Sequence, residues 1–266
     1  MSYSYWPTFV WGLLALAAFV GWGCAAARLT RVASDHDWAL CAAWGMAVVI
    51  GLGGVLALFG LANRPVLVVI VIIGCGLAIA WFRPGGWDWG AALIFAVVLL
   101  LWYAPAVGSR DSEPYDDYLA YFPYARRFLD TGTLLEPFGF RRLTTYGGQS
   151  LLHALSIAVG SEKNMNLLDS GIAMLILGGL AYGMVRRFLR PPAAVACTLA
   201  VLLVPIMRHN TMSQATGIVI WLGLFRAVQL RAAVLAGVLL AAFCTLRSNY
   251  VLCGVILMAA MLPPRT

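Results

Sequence analysis

The stretch WALCAAWGMAVVIGLGGVLALFGLA, residues 38–62, contains no charged residue and is built from apolar and small side chains throughout. About 20 such residues in a helix are enough to cross the hydrocarbon core of a bilayer. A helix is also the natural form for such a segment, because a backbone in lipid must satisfy its own hydrogen bonds. Residues 38–62 therefore predict a transmembrane helix.

The composition of the chain extends this prediction to the whole protein. Hydrophobic residues make up 62% of the sequence, charged residues only 11%, and the mean hydropathy is +0.86. A soluble fold could not bury that much apolar surface. The predicted fold class is all-α, a polytopic transmembrane bundle of about nine helices, which are placed at residues 6–28, 38–62, 66–82, 88–107, 166–185, 191–207, 213–229, 231–246 and 248–263.

One long polar loop divides the predicted bundle. Residues 1–107 form a four-helix segment, residues 108–165 the loop, and residues 166–266 a five-helix segment. The loop holds or adjoins most of the eleven acidic residues of the chain, namely Asp111, Glu113, Asp116, Asp117, Asp130, Glu136, Glu162 and Asp169. Carboxylates concentrated at one membrane surface are typical of an active site, and equally of an ordinary solvated loop.

The arginines suggest an orientation for the bundle. With the N-terminus outside, the inner connections carry Arg28, Arg31, Arg83, Arg186, Arg187, Arg190, Arg226, Arg231 and Arg265, and the short outer ones carry Arg64, Arg208 and Arg247. This asymmetry favours an extracytoplasmic loop in a bacterial inner (plasma) membrane. The six basic residues of the loop itself, however, make the total number of basic residues on the two sides equal. The net charge of +7 lies in the connections without interleaved aromatic residues, so no nucleic-acid partner is expected.

Two amphipathic segments are predicted within the loop. Residues 115–132 have apolar side chains at a helical period and begin with Asp116 and Asp117. Residues 148–160 are too short to cross the membrane, and we expect them to lie flat or to re-enter it. The helix dipole keeps the two carboxylates ionised, and an ionised Asp at a lipid surface can act as a general base or hold a divalent cation.

The order of these features resembles the GT-C glycosyltransferases, polytopic enzymes that use polyprenyl-phosphate-linked sugars as donors. In that family the first large outer loop carries a pair of acids closely followed by an aromatic residue. The similar segments are Asp116-Asp117 with Tyr121-Phe122-Pro123, Leu151-Leu152-His153-Ala154-Leu155, Arg186-Arg187-Phe188-Leu189-Arg190, Val204-Pro205, and residues 236–240 leading to Thr245-Leu246-Arg247-Ser248-Asn249-Tyr250. The resemblance covers residues 110–262 and fits an N-terminal part of such an enzyme or a divergent relative.

The resemblance implies roles for particular residues. Asp117, with Asp116 as the runner-up, would take the proton of the acceptor hydroxyl while its oxygen attacks the anomeric carbon. The leaving phosphate would be bound first of all by Arg247. The remaining candidates for binding the sugar or the phosphate are Arg208, Arg141, Arg142, Tyr121 and His153. The expected partners are the lipid-linked donor and membrane lipids, and Asp116 and Asp117 would also be the ligands of any divalent cation.

Three differences from the family keep other interpretations open. Four predicted helices precede the acidic loop where the family usually has one, and the sequence stops at Pro263-Pro264-Arg265-Thr266 where family members generally continue through further helices. In addition, Arg247 stands where the family has lysine. The segment 208–214 lacks the second carboxylate of the family, so that Gln214 stands in its place. A transporter or flippase for lipid-linked sugars and a catalytically inactive scaffold are therefore the alternatives. Purely structural roles are also open, since Arg247 could extend to lipid headgroups and His153 could be a packed core residue.

Overall fold

A computed structural model of the protein describes residues 5–32, 37–83, 85–86, 88–109, 121–135, 146–161, 164–203 and 213–261. Regular secondary structure in these residues is helical throughout. The helices are α1 (Tyr5–Leu29), α2 (Trp38–Leu58), α3 (Arg64–Trp81), α4 (Trp89–Gly108), α5 (Phe122–Thr131), α6 (Gly148–Ser156), α7 (Leu167–Val185), α8 (Pro191–Leu202), α9 (Gln214–Gln229), α10 (Ala233–Leu246) and α11 (Ser248–Met261).

Five of these helices, α1, α2, α3, α4 and α7, are long and apolar enough to cross a membrane. They correspond to the first four predicted transmembrane helices and to the first one after the loop, so the all-helical prediction is confirmed in the described residues and five of the predicted crossings have helices of suitable length and composition. The helices α8, α10 and α11 are apolar but shorter, and α9 has 16 residues. A crossing by each of these four stays a prediction.

The contacts of the described connections fall into two groups, one at each end of the long helices. At one end, which we call the loop end, Ala62 N–H donates to the Gly132 carbonyl at 3.1 Å, and Arg64 donates to the Ala158 carbonyl at 3.2 Å. These contacts bring the α2–α3 connection against the polar loop that follows α4. The candidates that the structure describes, Tyr121, His153 and Arg247, lie at this end.

The other end, which we call the arginine end, is joined by Asp88. Its carboxylate accepts hydrogen bonds from the Gly90 and Ala91 amides and from Tyr182 on α7, and Arg186 lies 3.4 Å away. Partial burial raises the pKa of Asp88, but these hydrogen bonds and the charge of Arg186 outweigh it and lower the pKa below its ordinary value. Asp88 is therefore ionised at neutral pH and connects the start of α4 to the end of α7.

The first three helices pack with their backbones in contact. A Cβ atom on Gly23 would lie 1.7 Å from the Cys41 carbonyl oxygen, and one on Gly45 would lie 1.7 Å from the Phe19 carbonyl oxygen. Gly21 of α1 meets Gly74 of α3 in the same way. Small residues at such contacts allow helices in lipid to approach closely, where dispersion forces are the main attraction. The α1–α2–α3 unit is the tightly packed platform on which the loop helices rest.

Replacing Gly45 by alanine is expected to lower the free energy of unfolding by about 1–3 kcal/mol, because the new methyl group would displace a backbone that cannot move locally. Chemical unfolding of the purified protein in detergent measures this loss. The matched control is Gly51→Ala on the same helix, where the added Cβ meets no atom within 4 Å. Equal losses in both variants would show that close approach of α1 and α2 does not limit stability.

Candidate functional site

The structure describes three of the residues that the sequence singled out, Tyr121, His153 and Arg247, and all three lie at the loop end. The others, Asp116, Asp117, Arg141, Arg142 and Arg208, lie outside the described residues. The helices that flank these positions in the chain therefore define the described part of the site.

The helix α6 lies at the centre of the loop end, and every one of its residues is buried. Its apolar side packs on the platform, since Leu151 fills the space beside Gly53 of α2. The apolar stripe that suggested a helix lying on lipid is covered by protein instead. Whether residues 148–160 lie flat or re-enter the membrane stays a prediction.

A polar strip runs along the buried helix α6 and consists of Gln149, Ser150 and His153. The Gln149 amide nitrogen lies 3.1 Å from His153 Nε2, and both side chains are at most 2% exposed. Burial lowers the pKa of His153 to about 3, so the ring is neutral at physiological pH. The neutral ring can donate or accept a hydrogen bond, but it supplies no positive charge.

Three polar atoms of this strip have no hydrogen-bond partner among the described residues, namely Gln149 Oε1, Ser150 Oγ and His153 Nδ1. An unpaired buried polar group costs about 1–3 kcal/mol, and most such groups in proteins are paired. The Tyr121 ring packs edge-on against the His153 ring, with centroids 5.8 Å apart. The polar strip therefore lies where the chain carrying Asp116 and Asp117 joins α5.

The N-terminal end of α6 contacts the end of α10. A Cβ atom on Gly148 would lie 2.4 Å from the Thr245 hydroxyl and 3.0 Å from its carbonyl oxygen. Gly147, with a φ of 95°, makes the turn into α6, a backbone conformation that favours glycine. Arg247 follows Thr245 by two residues and is half-buried. The first turn of α6 thus lies beside the segment that carries the predicted phosphate-binding arginine.

A cavity of about 160 Å³ opens at this junction. Its wall is mainly apolar and is formed by α2, α5, α6 and the chain on either side of residues 136–145. Representative lining residues are Ile50, Leu58, Phe128, Leu134, Leu151 and Thr245. An apolar cavity with a few polar groups at a membrane surface is suited to an amphipathic ligand such as an isoprenoid lipid.

The buried Asp169 is the residue that sequence reasoning missed. It lies in the π-helical first part of α7, and its carboxylate accepts hydrogen bonds from the Ala215 amide at 3.1 Å, the Thr216 amide at 2.8 Å and the Thr216 hydroxyl at 2.7 Å. It therefore caps the start of α9 from another helix, where a negative charge also suits the helix dipole. The sequence does hold one feature that could have identified it, because Asp169 is the sole acidic residue in the apolar segment 166–185.

Tyr250 extends this network towards Arg247. Its hydroxyl donates to the Ser213 carbonyl at 3.0 Å, and its ring stacks on Phe243 with centroids 4.7 Å apart. Both Asp169 and Arg247 lie close enough to affect the Tyr250 hydroxyl electrostatically. The starts of α7, α9 and α11 are consequently held together at the loop end.

No group of three or more His, Cys, Asp or Glu side chains among the described residues could hold a metal ion. The residues that the sequence offers as cation ligands, Asp116 and Asp117, lie outside that part of the chain. A divalent cation at this pair stays a prediction.

No family model, curated protein or solved structure matches the chain. Support for a function therefore comes from the residues of this chain and from their geometry. The features that carry chemistry are the polar strip of α6, the apolar cavity beside it and the half-buried Arg247.

Proposed function

We propose that this protein is a membrane glycosyltransferase that moves a sugar from a polyprenyl-phosphate donor to an acceptor at the loop end of the bundle. One observation carries the proposal. The helix α6 touches Tyr121 through His153 and Thr245 through Gly148, so it joins the two parts of the chain that hold the predicted base and the predicted phosphate-binding arginine.

The residues that contact α6 are close in the sequence to the predicted base and to the predicted phosphate-binding arginine. Asp117 precedes Tyr121 by four residues in the sequence, which reach at most about 14 Å. Arg247 follows Thr245 by two residues, a reach of about 7 Å. His153 and Gly148 are separated by about 7.5 Å along the helix axis. A substrate lying against α6 is therefore within reach of both side chains.

The chemistry would be a single displacement. The acceptor oxygen forms a bond to the anomeric carbon while the bond from that carbon to the phosphate oxygen breaks, and the phosphate leaves with the electron pair. Asp117 takes the hydroxyl proton, which makes the oxygen a better nucleophile. Arg247 stabilises the negative charge on the departing phosphate through charge-assisted hydrogen bonds. The configuration of the sugar inverts.

The cavity beside α6 supports a lipid-linked donor in particular. Its apolar wall suits an isoprenoid chain, while Thr245 and the first turn of α6 lie at the polar side of the same space. The cavity meets α6 through Gly148 and Leu151, whereas the buried polar strip lies on other positions of the same helix. The apolar wall and the polar side of the cavity match a ligand with an apolar tail and a polar head.

The distribution of arginines supports an extracytoplasmic site. The connections at the arginine end carry more basic residues than the short connections at the loop end, although the bases of the long loop make the two totals equal; the short connections favour the cytoplasmic side of a bacterial plasma membrane for the arginine end. The loop end, with its acidic residues, would then face outward, where polyprenyl-phosphate sugars can act as donors without a soluble nucleotide sugar.

A transporter for lipid-linked sugars finds less support in the described residues. Transport pathways usually place ionisable side chains inside the membrane-crossing helices. In the five helices long enough to cross, charged residues occur only near the ends, at Arg28, Arg64 and Asp169. Asp169 is moreover held by three hydrogen bonds to the start of α9.

The proposal is tested with membranes that overproduce the protein and are supplied with polyprenyl-phosphate sugars labelled in the sugar. The expected result is transfer of label to an acceptor together with release of polyprenyl phosphate in equal amount. Movement of the intact donor across sealed vesicles without release of polyprenyl phosphate would identify a flippase instead. An absence of both activities above the level of control membranes would favour the scaffold alternative.

Replacing Arg247 by glutamine is expected to lower kcat/KM for the donor by about 10²- to 10³-fold, because the departing phosphate loses its positive partner. Arg247→Lys should retain more activity, since the charge remains at the same position. The control is Arg126→Gln, which removes a charge from an exposed ion pair with Asp130 on α5. Equal activity in Arg247→Gln and the wild-type protein would exclude this assignment.

A further inference from the structure

The first turn of α6 is a buried helix N-terminus without a cap. Gly147 precedes it and has no side chain to accept a hydrogen bond, and the backbone amides of Gly148, Gln149 and Ser150 have no partner in the described part of the chain. The helix cannot satisfy these amides itself, because they lie before its first internal hydrogen bond. All three residues are buried, so bulk water does not reach them. Buried amides are nearly always paired, which points to a bound group at this turn.

Two side chains of the same turn are also unpaired. Ser150 Oγ and Gln149 Oε1 have no hydrogen-bond partner among the described residues, and both residues are at most 2% exposed. Side chains of a helix lean towards its N-terminus, so the Ser150 hydroxyl lies over the turn that carries the free amides. The Gln149 amide can turn and present its N–H groups, because a neutral His153 can carry its proton on either ring nitrogen.

These donors favour an anion as the bound group. The amides of a first turn point along the helix axis, and the helix dipole adds about half a positive charge at the same place. Phosphate groups commonly bind at such N-termini. The first turn of α6 contains no acidic side chain that would compete for the amides. Gly147 and Gly148 leave the backbone at the entrance bare, so that a ligand can approach it closely.

The cavity of the loop end opens in front of this turn. Tyr146, Gly147 and Gly148 line it together with Thr245 at the end of α10. Arg247 follows Thr245 by two residues, a reach of about 7 Å, so a positive charge is available near the same turn. The rest of the cavity wall is apolar. A phosphate at the turn would therefore have space beside it for the chain of a lipid, whereas free phosphate would leave that space unused.

We propose that the N-terminus of α6 binds the phosphate of the donor, with the amides of Gly148, Gln149 and Ser150 and the Ser150 hydroxyl as hydrogen-bond donors. The inference rests on the proposed function for the identity of the donor. The phosphate gains negative charge as it leaves the sugar, so donors held in place by the helix stabilise the transition state more than the ground state. Ser150 is thus a binding residue in addition to those that the resemblance implies.

The binding test uses the purified protein in detergent, with farnesyl phosphate, farnesol and inorganic phosphate as probes and isothermal titration calorimetry as the measurement. Farnesyl phosphate should bind roughly tenfold or more tightly than farnesol, which lacks the phosphate. Inorganic phosphate should displace it only at a much higher concentration, because it lacks the chain. Equal affinities for farnesyl phosphate and farnesol would overturn the phosphate site. Inorganic phosphate bound as tightly as farnesyl phosphate would overturn the assignment to a lipid-linked phosphate.

Two variants test whether the phosphate lies on α6. Gln149→Glu keeps the shape of the side chain and adds a negative charge to the first turn, so it should weaken the binding of farnesyl phosphate roughly 10²-fold. Ser150→Ala removes one donor and should weaken it roughly tenfold. Ser150→Ala also covers the case in which Gln149→Glu does not fold, since it only shortens a buried side chain. Neither variant should change the affinity for farnesol.

The matched control is Gln229→Glu, the same substitution at an exposed residue that does not line the cavity. It should leave the affinity for farnesyl phosphate within about twofold of the wild-type value. An equal loss in the control would reduce the effect to general repulsion between charges and would overturn the site. A lower unfolding temperature of Ser150→Ala with unchanged affinity would leave this turn a structural role only, and would overturn the site as well.

The result for this site can be separated from the result for the reaction. If the protein transfers no sugar while the affinity for farnesyl phosphate still depends on Gln149 and Ser150, the phosphate site is supported and the proposed reaction is wrong. If the protein transfers sugar while Ser150→Ala and Gln149→Glu keep the wild-type kcat/KM for the donor, the reaction is supported and the site on α6 is wrong.

Discussion

Replacing Asp117 by asparagine is expected to lower the rate of sugar transfer by about 10²- to 10⁴-fold, the usual contribution of a general base. Asparagine has the shape of aspartate and can hydrogen-bond to the acceptor hydroxyl, but it cannot take the proton. The KM for the donor should change little, because the donor is bound through its phosphate and its lipid chain. Initial rates with a labelled polyprenyl-phosphate sugar measure both quantities.

Two further variants make this experiment specific. Asp116→Asn should have a smaller effect, and a larger loss there than at Asp117 would move the role of base to Asp116. Asp130→Asn is the control, since Asp130 is exposed on α5 and pairs across the helix surface with Arg126, 3.5 Å away. Full activity in the double variant Asp116→Asn/Asp117→Asn would exclude both carboxylates from the reaction.

Removal of divalent cations distinguishes a role of Asp116 and Asp117 as proton acceptors from a role as ligands of a cation. If Asp116 and Asp117 hold a divalent cation, a chelator should inactivate the wild-type protein, and added Mg²⁺ or Mn²⁺ should restore it. If Asp117 acts only as a base, a chelator should leave the rate unchanged. In that case the rate should also fall at low pH as the carboxylate becomes protonated.

Replacing Asp169 by alanine should lower the free energy of unfolding by about 3–5 kcal/mol, because the buried amides of Ala215 and Thr216 and the Thr216 hydroxyl all lose their acceptor. Asp169→Asn keeps one acceptor oxygen and should lose less. Chemical unfolding in detergent measures the order wild type, then asparagine, then alanine. Equal stability of the alanine variant and the wild type would show that the start of α9 does not depend on this carboxylate.

A stability effect at Asp169 can be separated from a general packing defect through Thr216. Thr216→Val keeps the size of the side chain and the backbone amide but removes the 2.7 Å hydrogen bond from its hydroxyl. We expect a loss of about 1–3 kcal/mol, since the carboxylate keeps its backbone donors. A larger loss than that of Asp169→Ala would show that Thr216 acts through contacts other than Asp169.

The long helices could be predicted from the sequence, and their ends follow from local chemistry. The helix predicted over residues 38–62 ends at Leu58, because Gly60 turns the chain with a φ of 69°. Asn63 then begins the next helix, since its side chain accepts a hydrogen bond from the Val66 amide and caps α3. At its other end, Asp37 caps α2. Apolar length determines that a helix exists, whereas single turn and cap residues determine where it stops.

The environment of α6 could not be predicted in the same way. Leucines at 151, 152 and 155 suit a lipid-facing helix and a buried helix equally well, so the sequence left its position open. Contacts such as that between Gly148 and Thr245 join residues nearly a hundred positions apart, and no local pattern reports them. Asp169 was grouped with the loop acids for the same reason, because its partners on α9 are distant in the sequence.

The burial of α6 has a consequence for the order in which the protein is assembled. The residues against which its first turn rests, at the end of α10, are synthesised long after α6 itself has left the ribosome. Until they arrive, α6 can pack against the platform of the first three helices and against Tyr121 and α5, which precede it in the chain. The loop end is therefore completed only after α10 has been synthesised, late in the biogenesis of the protein.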